Sequence, residues 1–240
     1  MSRGNIYLGC SGWAYPTWKP DFYPPKLSPK KLLEYYATRL NTVEVNYTFR
    51  SLPSETTVQS WLAATGDGFR FSFKAPQRIT HILRLKNCTE PMERFARAIS
   101  PVANAGRLGV ILFQLPPNMK VNTELLGAFL GEARPFGFRA AFEFRSASWF
   151  TEPVYGLLRE HAAALCIAES DEVNTPTVFT APFSCYRLRK SDYSAADLVS
   201  IRENLEAQAA AGDVFAYFKH EDDPTGALQA ASILEELQRE

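Results

Sequence analysis

Thr42-Val43-Glu44-Val45-Asn46, then a helical stripe of Val58, Trp61 and Leu62 opened by Pro53-Ser54, then Arg70-Phe71-Ser72-Phe73-Lys74: this stretch decides the fold. Two β-prone runs joined by one amphipathic helix make a βαβ unit, with parallel strands and a right-handed crossover. Side chains alternate along a strand, so Glu44 and Asn46 share a face, as do Ser72 and Lys74. Both runs close on a polar side chain.

The same punctuation recurs outward from this unit. Val110-Ile111-Leu112-Phe113-Gln114, Ala141-Phe142-Glu143-Phe144-Arg145 and Leu165-Cys166-Ile167-Ala168-Glu169 follow it, then Cys185-Tyr186-Arg187-Leu188-Arg189 and Phe215-Ala216-Tyr217-Phe218-Lys219. A first strand spans Asn5 to Cys10. Between the strands lie helical stripes: Leu32, Leu33, Tyr36 and Leu40 behind Ser28-Pro29; Met92, Phe95, Ala96 and Ile99 behind Thr89; Leu125, Leu126, Phe129 and Leu130; Val154, Leu157 and Leu158 behind Thr151. A further helix begins at Ser194, with Asp197 placed as in a capping box, and the last carries Leu228, Ala231, Leu234 and Leu237. The connection from Glu169 to Pro182 shows no helical pattern. The prediction is an α/β, TIM-type (β/α)8 barrel: eight parallel strands, about seven helices, a helix-poor connection between strands six and seven, and one domain over residues 1–240. In such a barrel the strand ends meet in one mouth, where the chemistry of these folds takes place.

Lysine plus arginine equals aspartate plus glutamate, 26 each, so there is no global basic footprint and nucleic acid is a disfavoured partner. No apolar stretch approaches the ~20 residues of a membrane span, and Met1-Ser2-Arg3-Gly4 leads straight into a strand without a signal-peptide core. Cys10, Cys88, Cys166 and Cys185 are scattered, without a C-x-x-C pair, and read as buried small hydrophobes. A reducing cytoplasm is the expected location.

Candidate chemistry gathers at the strand ends. Glu44 and Glu143 are carboxylates from different strands, able to divide acid and base roles; the alternative is that they pair with Lys74, Arg145 or Arg187 and hold the mouth together. Lys74 is a base or Schiff-base nucleophile on one reading and an electrostatic clamp on the other. Arg187, Arg189, Lys190 and Lys219 cluster near the last two strands, where barrels bind phosphate, with Arg187 the functional candidate and Lys190 a solvated charge. Asn46, His81, Gln114, Arg145, Glu169, Tyr217 and Lys219 complete the expected substrate contacts. Among the aromatics of the first loop, Trp13 is the candidate for stacking on a ring. His81 and His220 follow strands three and eight, but no H-x-H or H-E-x-x-H spacing is present, so neither a metal nor a cofactor is expected. Gly9-Cys10-Ser11-Gly12-Trp13 lacks the second glycine of a nucleophile elbow and reads as a turn.

Several of these runs together resemble the YecE-like family of unknown function (domain of unknown function 72). They are Gly9-Cys10-Ser11-Gly12-Trp13 with Tyr15-Pro16, Trp18 and Phe22-Tyr23-Pro24-Pro25; Asn41-Thr42-Val43-Glu44-Val45-Asn46 with Thr48-Phe49 and Leu52-Pro53; and Phe69-Arg70-Phe71-Ser72-Phe73-Lys74-Ala75-Pro76 with Ile79-Thr80-His81. Leu112-Phe113-Gln114-Leu115-Pro116-Pro117 and Ala141-Phe142-Glu143-Phe144-Arg145 with Ser148-Trp149-Phe150 extend the match. The resemblance implies a TIM-type barrel and carries no settled reaction. It also marks departures: Glu169 where the family more often has aspartate, Arg189-Lys190 in place of a frequent His-Gly, and Lys219-His220 in place of a frequent pair of asparagines. These add positive charge on one side of the mouth and imply either a substrate not shared with the rest of the family or a subgroup with a more anionic ligand.

The expectation is a metal-independent enzyme doing acid/base chemistry on a small anionic or polyhydroxylated, sugar-phosphate-like substrate. The alternatives are an endonuclease-like barrel and a non-catalytic ligand-binding protein. On this reading Glu44→Gln abolishes turnover and leaves the melting temperature nearly unchanged.

Overall fold

The computed structural model describes residues 3–169, 174–190, 193–219 and 223–239. Eight strands close into a parallel barrel in chain order: β1 Ile6–Cys10, β2 Thr42–Val45, β3 Arg70–Lys74, β4 Leu108–Gln114, β5 Arg139–Glu143, β6 Ala164–Glu169, β7 Phe183–Leu188 and β8 Asp213–Phe218. Among the described residues seven α-helices alternate with them: α1 Leu32–Arg39, α2 Glu55–Ala63, α3 Thr89–Asn104, α4 Thr123–Ala133, α5 Glu152–Glu160, α6 Ala195–Ala209 and α7 Thr225–Leu237. The described part of the β6–β7 connection carries no helix, as its sequence lacks a helical period.

Local chemistry sets the helix starts. Ser54 and Asn122 accept hydrogen bonds from the Thr57 and Leu125 amides, and Ser194 with Asp197 forms a reciprocal capping box. Before α1, Pro29 opens a short 3-10 turn, Pro29–Lys31, and Ser28 makes no side-chain cap.

Strand parity splits the core in two. Outward residues such as Val43, Phe71, Phe73, Ile111, Phe113, Phe142, Leu165 and Tyr186 pack against the helices. Inward residues fill the lumen: Tyr7, Val110, Leu112, Ala141, Ala164, Cys166, Phe183, Cys185, Phe215 and Tyr217. Tyr7 and Phe215 stack at 4.7 Å, and Cys166 and Cys185, register partners on β6 and β7, bring their sulfurs to 3.7 Å. Close neighbours exclude a side chain at Gly9 on β1 and at Gly109 on β4. A Cβ on Gly9 would stand 1.9 Å from the Thr42 carbonyl oxygen, and one on Gly109 would stand 2.4 Å from Ser72 Oγ. Above the apolar filling, Tyr217 donates to Ser72 Oγ at 2.6 Å and touches Thr42 Oγ1 at 3.2 Å, while Ser72 Oγ also accepts the Val110 amide at 2.7 Å. Each of these buried polar groups has a partner, as a sealed lumen requires. The next inward position toward the carboxyl end brings the charges.

Candidate functional site: an arginine bar across the barrel mouth

Arg187 lies one inward position above Cys185 on β7 and is 2% exposed. Its guanidinium crosses the lumen and joins carboxylates from two other strands. Toward β2, Nε and Nη2 donate to Glu44 Oε2 and Oε1 at 3.0 and 2.6 Å; toward β5, Nη1 donates to Glu143 Oε2 at 2.6 Å. The bidentate fork suits guanidinium and carboxylate geometry. The other Glu143 oxygen lies 2.5 Å from Arg145 Nε. Ser11, just past β1, donates to Glu44 Oε1 at 2.8 Å and accepts from Arg189 Nη2 at 3.0 Å. The result is a charged layer whose centre holds one guanidinium against two carboxylates, with Arg145, Arg189 and Lys74 around it.

Burial alone would raise both carboxyl pKa values. At Glu44 the Arg187 and Arg189 charges and the hydrogen bonds outweigh burial and hold the group below its ordinary range. At Glu143, Arg187, Arg145 and Arg189 together bring it to about 2. Both therefore stand ionised at neutral pH and cannot donate a proton as general acids; base chemistry and structural pairing remain open to them. Lys74 moves the other way. Burial first, then repulsion from Arg187, lowers it to about 8, and its ammonium rests 4.2 Å from the Phe49 ring centroid. Burial and Arg187 also bring Arg189 down to about 10.

The remaining expected residues divide. Asn46 stands beside this layer, its Nδ2 donating to the Ser11 carbonyl at 3.5 Å and its buried Oδ1 without a partner. Gln114 ends β4 in register with Glu143 and is half-buried. His81 sits in a π-helical turn, Arg78–Ile82, with its ring centroid 5.0 Å from that of Phe49, nearly perpendicular to it, and its Nδ1 2.8 Å from Thr80 Oγ1. Burial, then Lys74 and Arg84, keep it below its usual pKa. Lys219 borders a small groove of about 70 Å³ between the β7 and β8 loops with Lys190, Tyr193 and Asp223.

Three expected contacts are placed away from the mouth. Tyr217 is fully buried in the hydrogen-bonded layer beneath it, because its position lies one inward step lower on β8 than a strand-end residue. Glu169 has the outward parity of Leu165 and Ile167, and accepts a hydrogen bond from Tyr193 at 3.1 Å, with Lys190 at 3.9 Å. Trp13 packs edge-on against Trp61 of α2 at 5.6 Å, so its ring belongs to the barrel wall. His220, the other histidine weighed for a metal, lies outside the described residues, among which no three His, Cys, Asp or Glu side chains converge.

Ser11 and Phe49 escaped the sequence reading, and Arg189 was grouped with the late cations but not assigned a contact. Parity was the available signal: Ser11 shares a face with Gly9, and Arg189 shares one with Arg187. Phe49 carried no such signal, because a 3-10 turn, Tyr47–Phe49, and not a strand brings it to Lys74.

Barrel and mouth together define a TIM-barrel protein with an ionised, arginine-bridged charge cluster at the carboxyl ends of its strands. The chain belongs to the family described as protein of unknown function DUF72, whose model matches residues 7–240. A DUF72 family protein from Thermotoga maritima is similar in structure, with a TM-score of 0.86 and 25% identity over 98% of this chain and 99% of that one. YunF of Bacillus subtilis is 28% identical over 155 residues, 62% of this chain and 54% of YunF. YecE of Escherichia coli K12 is 37% identical over 111 residues, 46% of this chain and 38% of YecE. The matched regions thus span about half or less of these curated relatives. Among the described residues no helix is long and apolar enough to cross a membrane.

Proposed function

We propose that this chain is an enzyme that uses its barrel mouth for acid/base chemistry on a small anionic, polyhydroxylated substrate of the sugar-phosphate kind. One observation carries the reading: Arg187 is compensated by Glu44 and Glu143, while Arg145, Arg189 and Lys74 surround that triad with further positive charge. An anion entering from above meets an excess of donors in a site of lowered dielectric, where such contacts are strong. Arg189 Nε and Asn46 Oδ1, both buried without a partner, supply one donor and one acceptor for a phosphate oxygen and a hydroxyl. The ionised carboxylates are the candidate bases.

The test is titration with sugar phosphates followed by proton NMR in deuterated water. Expected are saturable binding, weakened at least tenfold in Arg189→Ala, and exchange of a carbon-bound proton that is absent in Glu143→Gln. Saturable binding without exchange or turnover favours a ligand-binding protein. Absence of binding at millimolar ligand refutes the proposal.

A further inference from the structure

Lys74 closes β3 on the inward face and is half-buried. Its ammonium lies over the Phe49 ring, while both nearby carboxylates are engaged by Arg187; no ion pair to Lys74 forms among the described residues. A lysine that answers only structural demands is normally ion-paired or extended into solvent. This one is half-withdrawn from water, and burial, then Arg187, disfavour its charged form more than Glu44 and Glu143 restore it. Arg187 and Arg189 also favour an anionic substrate group, so the nucleophile and the anchor lie in one charge cluster.

We propose that Lys74 condenses with the carbonyl carbon of an aldehyde or ketone that carries an anionic group, forming a Schiff base. This inference rests on the anionic-substrate reading above and specifies the substrate as a carbonyl compound. The ammonium first releases a proton and the amine lone pair adds to the carbonyl carbon, the C=O π pair moving to oxygen. That oxygen takes one proton from the added nitrogen and a second in place of the one released. The nitrogen lone pair then forms the C=N bond as the oxygen departs as water. Overall an ammonium and a carbonyl give an iminium and one water, with no oxidant or reductant. The iminium draws electrons from the adjacent carbon, and ionised Glu44 and Glu143 are bases available for a proton released there.

Burial brings Lys74 to about 8, so near neutral pH its free-amine fraction exceeds that of an ordinary surface lysine by roughly two orders of magnitude. That difference makes trapping selective. The experiment incubates the protein with dihydroxyacetone phosphate, adds sodium borohydride, and reads intact mass and peptide maps. Hydride reduces the iminium carbon to a stable secondary amine. The expected product carries one probe less one oxygen atom, maps to Lys74, and is missing in Lys74→Arg and Lys74→Met. Dihydroxyacetone, which lacks the anion, should label at least tenfold more slowly, and glycerol 3-phosphate, which lacks the carbonyl, should compete. Melting curves of both variants verify that they fold, and the wild-type peptide map stands without them. Equal labelling of wild type and Lys74→Arg, or labelling centred on Lys190 or Lys219, overturns the proposal. If glycerol 3-phosphate raises the melting temperature but nothing is trapped, the imine is refuted and the anion site survives. If neither occurs, both readings fail.

Discussion

Arg187 gives its guanidinium to two carboxylates and shows almost nothing to solvent, so its energetics are those of a buried charge. Removing one partner from such a group leaves an uncompensated ion, at a cost of about 3–5 kcal/mol. Arg187→Met, which strands Glu44 and Glu143 together, is therefore expected to lower unfolding free energy by about that amount in urea melts at neutral pH. The same reasoning changes the sequence-based expectation for Glu44→Gln. Because Glu44 accepts the arginine fork, the amide removes a charge partner and should lower the melting temperature by roughly 6–20 °C, measurable by calorimetry. Glu143 adds a pH dependence. It titrates at about 2 in the folded chain and near 4.3 unfolded, so as pH falls the unfolded chain takes up the proton first. The stabilisation is complete above about 4.3 and is lost as pH drops toward 2, about 3 kcal/mol in all. Urea midpoints between pH 6 and 2 should fall with acid in wild type and be flatter over that window in Glu143→Gln.

Strands and helices were legible because their signals are local. Alternation alone sets the inward face of β2 and β3, which puts Glu44 with Asn46 and Ser72 with Lys74. The capping box was readable from Ser194 and Asp197, and Ser194→Ala should cost about 1 kcal/mol in a denaturant melt. Where one local rule was stretched, placement went astray. Polarity at a strand end does not reveal parity, which turned Glu169 outward, nor depth, which put Tyr217 below the mouth. Gly9 had a different reason from the turn assigned to its motif: β1 and β2 approach so closely there that Gly9→Ala must displace the Thr42 carbonyl. A loss of about 1–3 kcal/mol is expected, as for an overpacked core; a neutral result would show that β1 can shift freely.

At the scale of the whole molecule, closure of the ring was inferable from eight alternating units, but the partners across the lumen were not. That β7 reaches β2 and β5 through one side chain depends on which strands stand opposite, information no local pattern contains. Charge behaves similarly. The chain balances 26 cations against 26 acids, yet the loops after β1 to β5 carry Lys19, Lys26, Lys30, Lys31, Arg50, Arg78, Arg84, Lys86, Lys120 and Arg145 with Asp21 as their sole acid. Association of an anionic ligand should accordingly slow as ionic strength rises, which stopped-flow measurements at two salt concentrations would register. The paired sulfurs of Cys166 and Cys185 sit between two closures, the Tyr7–Phe215 stack on one side and the guanidinium on the other. A thiol reagent can reach them only while one of those doors stands ajar, so their alkylation half-life is a stopwatch for breathing of the barrel, and a tightly held ligand should make it run slow.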